Sequence, residues 1–246
     1  MTTPYLSIVI PAYNEEPRIG ATLDKVTRYL DAQAYDWEVV VVDDGSSDRT
    51  ADIVSRHSVK DARVRLESQP HAGKGWAVRG GMLAATGERR MLCDADLAMP
   101  IEFLGHFLDK LSEGFDIAIG SRELPGSRRF DEPPARHWIG RAFNWSVRTF
   151  AVRRFQDTQC GFKCFTAQAA QALFSLQRTK GFGFDVEILF LAQKRGLHVT
   201  EIPIDWYHQP HSKVRPAVDA FIMLRDILFV RFTALFGGYD LTGRKN

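Results

Sequence analysis

Trp37-Glu38-Val39-Val40-Val41-Val42-Asp43-Asp44-Gly45-Ser46 is the stretch from which the rest of the chain is read. Four successive valines leave no polar side for water. The strand they form therefore has to be covered on both faces, as in a parallel sheet clothed by helices. It stops on two carboxylates and a glycine, and Gly45 permits a tight turn or a close backbone approach. Ser46, Ser47 and Asp48 suffice to cap the helix that opens at Arg49-Thr50. Asp43 and Asp44 then need another explanation. Asp43 can accept hydrogen bonds from a base or ribose, and Asp44 can serve the same pocket or a cation.

Outward from this stretch the pattern repeats. Tyr5-Leu6-Ser7-Ile8-Val9-Ile10 reads as a strand ending at Pro11. Residues 16–33 read as a helix with Ile19, Leu23, Val26 and Leu30 on one face. Downstream, strands are expected at 64–67, 90–93 and 116–119, with helices toward His57, over 74–86 and over 101–111. This alternation predicts an α/β fold, a Rossmann-like and mostly parallel sheet flanked by helices. Ligands in such sheets sit outside the carboxyl ends of the strands. Asn14-Glu15, Asp43-Asp44, Asp94-Ala95-Asp96 and Ser121-Arg122 each follow a strand, so four polar clusters meet along one edge.

The second half departs from the alternation. Residues 138–155 read as a basic, aromatic, amphipathic helix and 157–165 as a turn and strand. Helices are expected at 167–176 and 184–194, the latter closed by Gly196. Residues 199–206 read as one strand, and 217–236 as a long apolar helix interrupted by Arg225, Asp226 and Arg231. The 246 residues are 45% hydrophobic and 25% charged, which fits a folded enzyme and excludes a disordered segment. No linker separates two complete patterns, so a single domain over 1–246 is expected, with 1–122 binding a nucleotide and 123–246 facing an acceptor. A net charge of +2 gives no reason to invoke nucleic acid. The three cysteines, Cys93, Cys160 and Cys164, lack disulfide-scaffold spacing, although the last two are four apart as on one helical face. Neither a secretory signal nor a bilayer-spanning run is expected, which places the active side in the cytoplasm.

Several clusters carry chemistry. Asp94 and Asp96 are two apart at a strand end with only alanine between them. Hard divalent cations such as Mg²⁺ take one or two carboxylates together with substrate phosphates. An acidic turn that caps a helix is the other reading. His71-Ala72-Gly73-Lys74-Gly75 is a short Gly-rich loop with a lysine, suited to a diphosphate or a base edge, but it lacks P-loop spacing. Arg122 can clamp phosphate bidentately or form a surface ion pair. Asp157 opens a polar, aromatic stretch ending at Lys163. Asp185 and Glu187 stand on a helix start among apolar neighbours, either as sugar-hydroxyl acceptors or as solvated first-turn acids.

Taken in order, Ile10-Pro11-Ala12-Tyr13-Asn14-Glu15, Val42-Asp43-Asp44-Gly45-Ser46, Ala72-Gly73-Lys74-Gly75, Asp94-Ala95-Asp96, Gly120-Ser121-Arg122, Asp157-Thr158-Gln159-Cys160-Gly161-Phe162-Lys163, Phe184-Asp185-Val186-Glu187 and Ser212-Lys213 resemble the inverting glycosyltransferases of family 2, which have the GT-A fold. The resemblance is greatest to the dolichyl- or polyprenyl-phosphate hexose synthases, and among them to the dolichyl-phosphate glucosyltransferase branch. It implies that Pro11, Ala12, Tyr13, Glu15 and Asp43 line the base and ribose pocket, with Asp44 and Lys74 at the nucleotide. It implies that Asp94 and Asp96 hold Mg²⁺ or Mn²⁺ against the diphosphate. Arg122 and Lys213 would meet phosphates, and Asp157 and the 184–187 segment the sugar side. The implied reaction moves glucose from UDP-glucose, a nucleotide-sugar donor, to a polyprenyl phosphate with inversion.

Eukaryotic members of that branch carry an N-terminal membrane helix, and many bacterial relatives carry C-terminal spans. Here lipid contact is expected from amphipathic surfaces instead, with peripheral association at the membrane's inner face. One candidate is 138–155, with Ile139, Phe143, Val147 and Phe150 on one side and Arg141, Arg148, Arg153 and Arg154 around it; the other is 217–236. Packing on the sheet or a homo-oligomer interface is the alternative for either. A GDP-mannose donor, a soluble acceptor, or a non-catalytic nucleotide-sugar-binding protein are the competing functional readings. A sugar nucleotidyltransferase would want a Gly-rich basic loop after the first strand, where this chain has Pro11-Ala12-Tyr13-Asn14-Glu15.

Overall fold

The computed structural model describes residues 3–131, 155–209 and 216–241. Among the described residues the central sheet has seven strands in the order β3-β2-β1-β4-β7-β5-β8. They are β1 (Leu6–Ala12), β2 (Trp37–Asp43), β3 (Val64–Ser68), β4 (Arg89–Leu92), β5 (Ile117–Ser121), β7 (Lys163–Thr166) and β8 (Val199–Pro203). A separate pair joins β6 (Arg128–Phe130) to β9 (Asp205–Tyr207). The helices are α1 (Ile19–Asp31), α2 (Thr50–Lys60), α3 (Lys74–Ala84), α4 (Leu104–Ser112), α5 (Ala167–Phe174), α6 (Phe184–Lys194) and α7 (Pro216–Leu235), with a 3₁₀ turn at Ile101–Phe103. Side chains of α7 are described from Ile222 onward.

The valine run behaves as its pattern demands. Val39 and Val41 face a core shared with α1, α2 and α4, while Val40 and Val42 face one shared with α3, α5, α6 and α7. β1 runs through Pro11 to Ala12, beyond the expected end. The Val9 carbonyl faces β4, where it accepts the Cys93 N–H at 2.9 Å. Pro11 lies two residues on, on the same side, where the pairing with β4 has already ended. Its missing N–H therefore costs no ladder bond.

The strand before α5 has the largest consequence. β7 lies between β4 and β5 and is antiparallel to both, whereas the other described strands of this sheet run parallel to one another. Because β7 runs backwards, its amino end lies at the carboxyl edge of its neighbours. Residues 155–162, which lead into it, are thereby laid along the edge where the acidic clusters stand. Strands from both halves of the chain build this one sheet.

Two local expectations are corrected. Residues 199–206 divide into β8 and β9, which belong to different sheets. Pro203 ends β8 without an N–H to donate, Ile204 drops into the core, and Asp205 turns to Arg128. Cys160 and Cys164 do not share a helical face, because Cys160 precedes β7 and Cys164 lies within it. The helix expected at 138–155 lies outside the described residues except for Phe155. No described helix is long and apolar enough to cross a membrane.

Candidate active site

The loops after β1 and β2 are stapled together. Asn14, at a left-handed φ of 51°, donates its N–H to Ser46 Oγ at 2.8 Å and accepts the Ser47 N–H through Oδ1 at 2.8 Å. The Glu15 N–H donates to Thr50 Oγ1 at 2.8 Å, and the Glu15 carboxylate pairs with Arg18 at 2.8 Å. Asp43 is buried at the floor of this junction. Its Oδ2 accepts the Ser46 N–H at 3.2 Å, and its buried Oδ1 accepts no hydrogen bond from the described residues. Beside it Tyr13 stacks on His71, with ring centroids 4.2 Å apart. Gly45 is required here. Its φ is 73°, and a Cβ would come within 2.7 Å of the His71 backbone nitrogen.

Asp44, expected at the nucleotide, is bonded to the loop that follows β3. Its Oδ1 accepts from Gln69 Nε2 at 2.7 Å and from the Ala72 N–H at 3.0 Å. Its Oδ2 accepts from the Gly73 N–H at 2.9 Å and lies 2.8 Å from His71 Nδ1. With both oxygens engaged, Asp44 shapes the 69–73 loop and so places Tyr13's stacking partner and the start of α3.

Lys74, the first residue of α3, reaches back to β4. Its Nζ is 2.7 Å from Asp94 Oδ1. Burial alone would push this ammonium down, but Asp94, Asp185 and Asp96 outweigh it and hold the group above its usual range. Gly161 presses on the same carboxylate, and a Cβ there would sit 1.9 Å from Asp94 Oδ2. Asp96 accepts the Ala98 N–H at 3.1 Å; its carboxyl is pushed up, first by burial and then by neighbouring Asp94. Two hard-oxygen groups that disfavour each other's charge, one already holding an ammonium, fit a divalent cation completed by diphosphate oxygens. Among the described residues no third His, Cys, Asp or Glu joins them.

Arg122 does not present an open fork. Its Nε and Nη2 donate to Asp157 at 2.6 and 2.9 Å, and its backbone N–H adds a third bond at 3.1 Å. The surface ion pair considered as the alternative is also corrected, because Asp157 is fully buried. Burial would raise its carboxyl, yet Arg122 outweighs burial and brings it down to about 2. Glu201 on β8 holds the same loop by accepting the Gln156 and Asp157 N–H groups at 2.9 and 3.0 Å. The pair thus fixes the strand-end loops relative to each other.

Asp185 and Glu187 are buried, and neither is a solvated first-turn acid. Asp185 Oδ1 receives Lys163 Nζ at 2.6 Å; burial raises its carboxyl while Lys163 and Lys74 pull the other way. Glu187 accepts from the Arg178 N–H at 2.9 Å, the Thr179 N–H at 2.8 Å and the Tyr239 hydroxyl at 2.6 Å. Glu187 therefore anchors the 178–179 loop. The Lys163–Asp185 pair escaped the sequence reading, although a lysine within the buried run Phe162-Lys163-Cys164-Phe165 requires a partner. Lys213 lies outside the described residues.

This carboxyl edge can be set beside known proteins. The model of the family described as "Glycosyl transferase family 2" matches residues 7–174. The chain belongs to glycosyl transferase family 2. Within the family, a dolichyl-phosphate beta-glucosyltransferase of Trichomonas vaginalis is 38% identical over 86% of this chain and 66% of its own length. Proteins of the same name from Dictyostelium discoideum and Homo sapiens are 34% and 33% identical, over 95% and 97% of this chain and 76% and 78% of theirs. A glucosyl-3-phosphoglycerate synthase of Mycobacterium tuberculosis, solved with Mn²⁺ and uridine-diphosphate-glucose, superposes with a TM-score of 0.66 at 19% identity, covering 99% of this chain and 80% of that one. That likeness establishes a shared GT-A-type fold.

Proposed function

We propose that this family 2 glycosyltransferase moves glucose from UDP-glucose to a polyprenyl phosphate, inverting the anomeric carbon and using Mg²⁺ or Mn²⁺. The observation that carries the reading is the Asp94–Asp96 pair at the end of β4, on the same sheet edge as Asp43, whose Oδ1 has no hydrogen-bond partner among the described residues. A buried carboxylate oxygen without a donor is costly, and an N–H of the donor's base supplies one. Tyr13 and His71 offer an aromatic wall to the same base, and Pro11, Ala12 and Glu15 belong to its surround. The named relatives supply the donor and acceptor classes.

The chain's own residues account for the chemistry as follows. Asp94 and Asp96 would hold the cation, and a divalent ion held there would supply charge stabilisation to the departing UDP. The acceptor, a phosphate monoester, is already an anion near neutral pH, so no residue has to deprotonate it. The Arg122–Asp157 and Glu201 bonds keep the loop before β7 rigid, and Gly161 in that loop leaves the Asp94 carboxylate its place. Residues 1–122 serve as the donor half and 123–246 as the acceptor half of one domain.

The acceptor lives in a bilayer. The described part of α7 presents Leu228, Phe229, Phe232 and Leu235 to solvent, and Phe236 follows it directly; the last three are 58%, 75% and 81% exposed. Exposed Arg225 and Arg231 stand on the same helix. An apolar stripe flanked by arginines suits an anionic lipid surface. α7 thus docks the enzyme on the cytoplasmic face as a peripheral protein. A matrix of UDP-glucose or GDP-mannose against a polyprenyl phosphate or 3-phosphoglycerate, with Mg²⁺, Mn²⁺ or chelator, tests the assignment. Glucosyl-phosphoprenol forming only with cation is expected. Absence of turnover of UDP-glucose sinks it, and exclusive use of GDP-mannose or of the soluble acid replaces the donor or acceptor.

A further inference from the structure

Lys74 is placed with unusual firmness for a lysine at a helix start. Gly73 has a φ of 109°, and a Cβ on it would come within 2.7 Å of the Lys180 carbonyl oxygen. A Cβ on Gly75 would come equally close to the Gly181 carbonyl oxygen. The Trp76 N–H donates to the Lys180 carbonyl at 3.2 Å. The first turn of α3 is thus clamped onto the 180–181 backbone, and the Lys74 Cα has little room to move. From this mount the ammonium reaches Asp94 Oδ1 at 2.7 Å, while the other oxygen of that carboxylate lies against Gly161. Asp185 also acts on Lys74, but its Oδ1 is paired with Lys163 Nζ at 2.6 Å. Locally, Lys74 therefore offsets one of the two charges that Asp94 and Asp96 bring.

We propose that Lys74 is the site's built-in counter-cation: it shares Asp94 with the incoming divalent ion and so limits metal affinity while no nucleotide is bound. This rests on the reading of Asp94 and Asp96 as the cation pair. A divalent ion entering beside a fixed ammonium meets repulsion and must compete for Asp94. When the ammonium is removed, the carboxylate pair keeps its full charge and the ion binds more tightly. A bound diphosphate would offer Lys74 an alternative anion, so one side chain serves the site in both states.

The test is Mn²⁺ binding to the full chain without donor or acceptor, read from the free-ion electron paramagnetic resonance signal at one fixed pH. Lys74→Met is expected to bind Mn²⁺ about tenfold more tightly than the wild type. Lys74→Gln, which keeps an N–H donor but not the charge, should do the same and serves if the first variant folds poorly by circular dichroism. Lys110→Met, which removes an equal charge on the exposed face of α4, should leave the affinity unchanged. Unchanged or weaker binding in the folded Lys74 variants, or an equal gain in Lys110→Met, overturns the proposal. Asp96→Asn separates the two levels. If it abolishes Mn²⁺ binding while the Lys74 variants match wild type, only the counter-cation role fails. If it binds like wild type, the cation-pair reading fails with it.

Discussion

At the scale of single residues, the site depends on what is absent as much as on what is present. Gly161 touches the Asp94 carboxylate directly, and a methyl group there would overlap Oδ2 at 1.9 Å. Gly161→Ala is therefore expected to displace the carboxylate and lower kcat/KM by about 100-fold, the loss typical of a displacement near 1 Å. Far-ultraviolet circular dichroism should stay unchanged, and near-wild-type kinetics would refute the contact. Asp157 acts differently. Its carboxyl is held at about 2, with burial outweighed by Arg122, against an ordinary value near 3.9. A depressed value means that its stabilisation is complete above about pH 4–5 and is lost as pH falls toward about 2. Asp157→Asn should cost about 3 kcal/mol near neutral pH, with the difference from wild type shrinking below about pH 4. Urea unfolding at both ends of this window measures it; a difference independent of pH would remove Arg122 as the cause.

At the scale of elements, β7 and α7 do what no local pattern requires. β7 enters antiparallel between β4 and β5, and so carries Asp157, Gly161 and Lys163 to the carboxyl edge. α7 packs Ile227 and Val230 into the core and sets Asp226 against Gly183, leaving its remaining apolar face outward. Changing Phe232 and Leu235 together to serine removes large exposed side chains with no core role, so stability should move by less than about 0.5 kcal/mol per site. Burial of such side chains contributes about 1.5–3 kcal/mol each. The double variant should therefore partition at least about tenfold more weakly onto vesicles containing anionic phospholipid. Flotation equal to wild type would remove α7 as the lipid contact. The apolar periodicity of 217–236 was legible in the sequence. Which side would face out was not, because that depends on where α6 and β8 lie.

At the scale of the whole molecule, the two cores flank a sheet that buries all three thiols. Burial pushes Cys160 and Cys164 up to about 12, and Cys93 upward as well. Iodoacetamide at about pH 8 should leave the native protein unmodified and label all three sites only when the sheet opens, so labelling reports global unfolding. Rapid labelling of the folded chain by mass spectrometry would contradict that burial. Much of this architecture follows from sequence alone. The valine run of β2, buried on both faces, demanded a helix-covered parallel sheet, and parallel strands necessarily bring their terminal acids to one edge. Asp43, Asp94 and Asp96 were legible for that reason: strand direction is a local property, and the clusters follow directly in the chain. Tertiary structure alone decided that Asp44 would hold a loop, that Arg122 would close on Asp157, and that Lys74 would reach Asp94. Those choices join residues 20 to 35 positions apart in pairings that the insertion of β7 and the seating of α3 create, and side-chain partners at such separations are selected by packing rather than by any pattern along the chain.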